Sequence, residues 1–78
     1  MPIVTFEFPS HEIKMIEINL DMTLYEVSLL LGLEPEHIVF FCGRYNGVIG
    51  TLMGAGYDGE PFKKFNTHEC AIIDKRNL

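Results

Sequence analysis

The feature that most constrains this chain is one short helix with a marked start and a marked stop. Thr23 precedes an apolar run, and Glu26 follows it by three residues. That spacing is a capping box: the Thr hydroxyl accepts from the Glu26 N–H, and the Glu carboxylate accepts from the Thr23 N–H. Leu24, Val27 and Leu31 recur at helical spacing, with Leu30 beside that stripe. Gly32 supplies a left-handed stop, Leu33 can fold back on the last turn, and Pro35 prevents continuation. The pattern predicts a helix over 24–31, of two to three turns. A second helix of comparable length is not marked, which disfavours a ferredoxin-like arrangement.

The rest of the chain reads as strands. Ile3 to Phe8 alternates, with Val4, Phe6 and Phe8 on one face and Ile3, Thr5 and Glu7 on the other. Pro9-Ser10 then opens a turn. Glu12 to Leu20 alternates again, with Ile16, Ile18 and Leu20 opposed to Met15 and Glu17. The short connection predicts an antiparallel hairpin. His37 to Cys42 is apolar on both faces, which predicts a central strand or a covered outer face. Asn46-Gly47 is a tight-turn signal, after which Val48 and Ile49 can pair back. Residues 50–67 hold four glycines and Pro61 and read as a long loop, with room for a 3₁₀ turn near Thr51–Met53 or Pro61–Phe65. Glu69 to Asp74 is a last strand, followed by a polar tail.

A hairpin, a helix and further strands predict an α+β fold in one domain, 1–78: a mixed sheet of four to five strands with the helix on one face. A right-handed crossover through the helix and insertion of the last strand beside the first, antiparallel to the third, would make it a β-grasp, or ubiquitin-like, fold.

Composition narrows the function classes. With 78 residues, the chain buries only roughly 60–65% of its unfolded surface, so an exterior face is a better prospect for binding than a deep cavity. Net charge is −5. Residues 1–43 carry seven acids against Lys14 alone, whereas residues 44–78 carry four acids against five bases. That balance argues against nucleic acid, which rewards clustered Lys and Arg, and suits a basic protein partner or a plain solvated surface. No apolar run approaches the roughly 18–20 residues of a membrane span, and the start shows no secretory pattern. Two cysteines are too few for a disulfide scaffold, so a cytoplasmic protein with reduced thiols is expected.

The run Thr23-Leu24-Tyr25-Glu26-Val27 through Leu31-Gly32-Leu33, the segment Pro35-Glu36-His37-Ile38-Val39 into Asn46-Gly47, and His68-Glu69-Cys70-Ala71-Ile72-Ile73 resemble the small sulfur-carrier β-grasp proteins. These are of the molybdopterin-synthase small-subunit and thiamine sulfur-carrier type. The resemblance covers most of the chain at the level of pattern. It implies a ubiquitin-like fold and docking on a larger protein. That family works through a terminal Gly-Gly, whose carboxylate is adenylated and converted to a thiocarboxylate. This chain ends Lys75-Arg76-Asn77-Leu78, so the fold and the docking carry over and the reactive end does not.

Candidate sites follow from the same placement. Ile3, Val39, Phe41 and Ile73 are expected to line the sheet face opposite the helix. An apolar face of that sort marks an interface with a larger partner or a second copy, unless Tyr57, Phe62 and Phe65 cover it. Gly54, Gly56 and Tyr57 lie in a glycine-rich stretch that could cradle an anion, although a phosphate loop should follow a strand, open a helix and end in Lys-Ser/Thr. Cys42 and Cys70 are expected to meet if the third and fifth strands are neighbours. With His68 they make a candidate metal or redox set, against the plainer reading of buried sulfurs filling a sheet. No nucleophile motif or facing carboxylate pair appears, and no cofactor is implied. The reading is a non-catalytic binding module, with a divergent sulfur carrier of cofactor biosynthesis and a small metal or redox protein as alternatives.

Overall fold

The computed structural model describes residues 2–43 and 47–77. Strand β1 spans Ile3–Glu7 and β2 Ile13–Glu17; helix α1 spans Leu24–Leu30; β3 spans Ile38–Cys42, β4 Gly47–Thr51 and β5 Glu69–Asp74. Short 3₁₀ turns cover Phe62–Phe65 and Lys75–Asn77. The fold is α+β, a five-stranded mixed sheet in the order β2-β1-β5-β3-β4 with one helix. The β5 strand sits between β1, to which it is parallel, and β3, to which it is antiparallel.

The helix forms as its punctuation dictates. Thr23 Oγ1 accepts from the Glu26 N–H at 3.1 Å, and Glu26 Oε1 accepts from the Thr23 N–H at 3.0 Å. At the other end Gly32 takes φ +75°. Its N–H donates to Leu29 O and the Leu33 N–H donates to Ser28 O, both at 3.0 Å, which is a Schellman stop. Leu24 and Val27 are buried against the sheet, Leu31 is partly buried, and Leu30 turns to solvent.

The core lies between α1 and the sheet. Val4 and Phe6, Ile18, Ile38 and Phe40, Ile49 and Ile72 supply it. Phe62 and Phe65 enter the same core, with Phe62 edge-on to Phe6 at 6.2 Å between ring centres. The expectation that these two rings cover the opposite face is therefore corrected. The 3₁₀ turn that carries them folds back under the helix side, where the Phe62 N–H donates to Met22 O at 2.8 Å and the Lys63 N–H to Leu20 O at 2.9 Å.

The glycine-rich segment after β4 is more ordered than a plain loop. Its Ala55 and Tyr57 N–H groups donate to Thr51 O and Ile49 O, both at 2.8 Å, so it runs along the outer edge of β4. Asn46 of the expected tight turn lies outside the described residues. Among the described residues no helix is long and apolar enough to cross a membrane.

Candidate functional site

Strand alternation puts one set of side chains against α1 and the other on the opposite, outer face. Register then aligns the outer set across the strands. Ile13 pairs with Glu7, Glu7 with Ala71, Ala71 with Phe41, and Phe41 with Val48. Next to this row, Met15 pairs with Thr5 and Thr5 with Glu69. Thr5, Glu7, Ile13, Phe41, Glu69 and Ala71 line a shallow basin of about 340 Å³.

The four outer-face residues expected from the sequence all fall on this side, with different access. Ile3 and Phe41 are open to solvent and Ile73 is half-buried. Val39 is only 1% exposed, so a docking partner would not touch it. Sequence reasoning missed the basin's carboxylates, Glu7 and Glu69, and the apolar side chains at the β2 end. Ile13 is 65% exposed and Met15 75%. The signal was present: Ile13 alternates in phase with Met15 and Glu17.

The face is acidic as well as apolar. Among the described strand residues it carries Glu7, Glu17 and Glu69 and no Lys or Arg. The His11 Nδ1 lies 3.5 Å from Glu7 Oε2. Lys14 belongs to the other face, 3.6 Å from the Glu12 carboxylate and 5.3 Å above the Phe8 ring. An acidic, apolar, shallow surface suits recognition of an extended or flat polypeptide better than enclosure of a small substrate.

The glycine segment offers little to an anion. The Gly54 N–H donates to Asp58 Oδ2 at 2.7 Å, and the Ala55 and Tyr57 N–H groups are held by β4 carbonyls. A carboxylate of the chain itself already occupies the loop. Burial raises the Asp58 pKa, against the lowering effect of the Gly54 N–H, and its Oδ1 is buried with no hydrogen-bond partner. The Tyr57 ring packs on Phe65 at 5.6 Å, with the Lys64 ammonium 5.6 Å above it.

Cys42 and Cys70 come together as expected. The Phe41–Ala71 pairing puts them one step further along the same ladder. Both are free and buried. Burial, and secondarily the neighbouring Cys42, push the Cys70 thiol up to about 12, which favours its protonated form near neutral pH. His68 is exposed beside β5 and does not converge with the two sulfurs. Among the described residues the converging set of possible metal ligands is instead Glu34, Glu36 and His37, within 4.8 Å of one another. Its two glutamates are exposed and His37 is half-buried, and Glu34 is already engaged by His37 at 3.5 Å and Arg76 at 3.6 Å.

No protein-family model matches the chain, and no curated protein is similar enough to it to count as a relative.

Proposed function

We propose that this chain is a non-catalytic β-grasp module that binds another protein through its outer sheet face. The strand order β2-β1-β5-β3-β4, a parallel β1–β5 pair and a single helix support the β-grasp reading. The observation that carries the binding reading is the row Ile13–Glu7–Ala71–Phe41–Val48. Three large apolar side chains stand in solvent there around a carboxylate. A sheet face that a chain keeps only for itself is usually polar, because exposed apolar area favours association. The basin beneath the row is shallow, and of the two cysteines that also line it Cys70 has its thiol pushed up to about 12 by burial, which supports docking over catalysis.

The test is Phe41→Glu. Phe41 is 42% exposed, so the change should leave the fold intact by circular dichroism and thermal melting. Native capture on wild-type and variant protein, with cross-links mapped by mass spectrometry, then reads the face. The expected result is a partner cross-linked around Phe41 and Ile13 in wild type and lost in the variant. A folded variant with an unchanged capture profile would remove this face as the binding surface.

A further inference from the structure

The sheet has two edges, and the described residues close only one of them. At β4 the outward carbonyls of Ile49 and Thr51 are taken by the Tyr57 and Ala55 N–H groups. At β2 the phase of the ladder is set by its ends: Phe8 N–H donates to Glu12 O, and Ile18 N–H donates to Pro2 O. The even-numbered residues of β2 therefore bond β1. Ile13, Met15 and Glu17 turn their N–H and C=O groups outward. Among the described residues nothing hydrogen-bonds this outward set.

An open edge pairs with other chains unless it is blunted by Pro, a bulge, a covering segment or charged side chains, inward-pointing ones included. The β2 strand has no Pro, and its register with β1 is continuous. Its one Lys, Lys14, points to the helix side against Glu12 and Phe8, so it limits unselective pairing there and leaves the outer-face positions Ile13 and Met15 open. The residues with free backbone groups are also those whose side chains stand on the outer face. Ile13 and Met15 lie at one end of the strand and Glu17 at the other.

We propose that the free edge of β2 receives an extended segment of a partner protein that carries one basic and two apolar side chains at every second position, and that it adds as a sixth strand. Main-chain bonds to Ile13, Met15 and Glu17 give the affinity, and alternate side chains give the selectivity. Facing positions on neighbouring strands are the ones that interact. The added strand thus carries a Lys or Arg beside Glu17, then apolar residues beside Met15 and Ile13, two residues apart. Charge selects this occupant: Glu17 is the one charged side chain that β2 turns to the outer face, Glu7 stands one strand further in, and no Lys or Arg lies on that face among the described strand residues. A second copy, itself at −5, is disfavoured by the same charges. The inference rests on the outer-face reading above and adds to it the mode of docking and the chemistry of the partner.

The experiment uses two fluorescent seven-residue peptides of β-forming residues. One has Arg at the position facing Glu17 and apolar residues facing Met15 and Ile13; in the other, Glu replaces Arg. The Arg peptide is expected to bind, to slow hydrogen exchange at the outward amides of Ile13, Met15 and Glu17, and to weaken with salt. M15P removes one outward N–H without touching the β1 ladder, since Pro is tolerated where a strand's N–H faces solvent. It should cost at least about tenfold in affinity. E17K tests the pairing independently of how M15P folds, and should reverse the preference between the Arg and Glu peptides.

Leu30 stands exposed on α1, away from the outer face, so L30E should leave peptide binding unchanged. No binding by the Arg peptide, or equal binding of both peptides to wild type and E17K, overturns the proposal. A dimer in sedimentation that protects the same three amides without peptide also overturns it, because a second copy then fills the edge. If the native partner is lost in F41E but kept in M15P and E17K, the outer-face reading stands and strand addition fails. If all three variants keep it, both fail.

Discussion

The β4 edge is closed by the chain's own glycine segment, whereas the β2 edge ends in open backbone. At β4, residues 54–57 run alongside the strand and donate two N–H groups to its carbonyls. At β2, Ile13 and Met15 stand in solvent beside unpaired main-chain groups. An edge of the first kind requires a backbone that can approach very closely. An edge of the second kind requires only alternation. Gly50, Gly54, Gly56 and Gly59 therefore fall in or just after β4, and no glycine falls in β2.

The largest effect expected is on the closed edge. Gly56 takes φ +70°, and a Cβ there would come within 2.7 Å of Ile49 O and 2.9 Å of its carbonyl carbon, both backbone atoms that cannot step aside. Gly56→Ala should cost about 2–4 kcal/mol, from left-handed strain plus the clash, read as a drop in the urea midpoint. It should also unprotect the Ala55 and Tyr57 amides in hydrogen exchange. Gly54→Ala is the control for conformation alone, since Gly54 has φ +106° with nothing within 4 Å of its would-be Cβ. It should cost about 1–2 kcal/mol. Equal losses at the two positions would mean that close approach to β4 is not what Gly56 provides.

A smaller effect comes from the carboxylate inside the glycine segment. Burial raises the Asp58 pKa above its ordinary 3.8, so near and just above that pH the folded chain holds a proton that the unfolded chain has released. Stability should fall as pH rises through that window and level off above the folded pKa. Asp58→Asn should remove this slope, visible as the pH dependence of wild type minus variant in urea unfolding. Asp74 acts in a separate window and with the opposite sign. Its hydrogen bonds from Arg76 hold its carboxyl down to about 2, so the stability it contributes is present above about 3.8 and is lost as pH falls toward 2. Arg76→Met should weaken that lower branch alone, and leave the part that the backbone N–H of residue 76 supplies to Asp74.

The smallest effect is expected at the open edge. Met15 is 75% exposed and bonds β1 through no main-chain group of its own, so Met15→Lys should change unfolding free energy by less than about 0.5 kcal/mol. A loss above 1 kcal/mol would show that the β2 edge is not the bare structure its register implies.

Local chemistry made much of this legible in advance. The Thr23–Glu26 box and the Gly32 stop act within a few residues of sequence, and the helix formed between them. The alternation of Val4 and Phe6 placed β1, and the apolar run at Ile38–Cys42 announced a strand hydrogen-bonded on both sides. Phe41 and Ile3 were found on the outer face for the same reason. What local pattern misjudged was cover. Phe62 and Phe65 are aromatic residues in an irregular stretch, and nothing in their neighbours says which face of the sheet they reach. Val39 alternates in phase with Phe41, yet one is closed from solvent and the other open.

By itself the sequence determined the elements: one capped helix, five apolar strand runs and a glycine-rich stretch between the last two. These follow from propensity, capping and periodicity, which depend on residues close along the chain. Only the tertiary structure decided the use of the edges: that Gly56 approaches Ile49 backbone, that an Asp58 carboxylate fills the glycine segment, and that β2 pairs with β1 alone among the described residues. Those outcomes depend on contacts between distant segments, which short-range patterns do not encode.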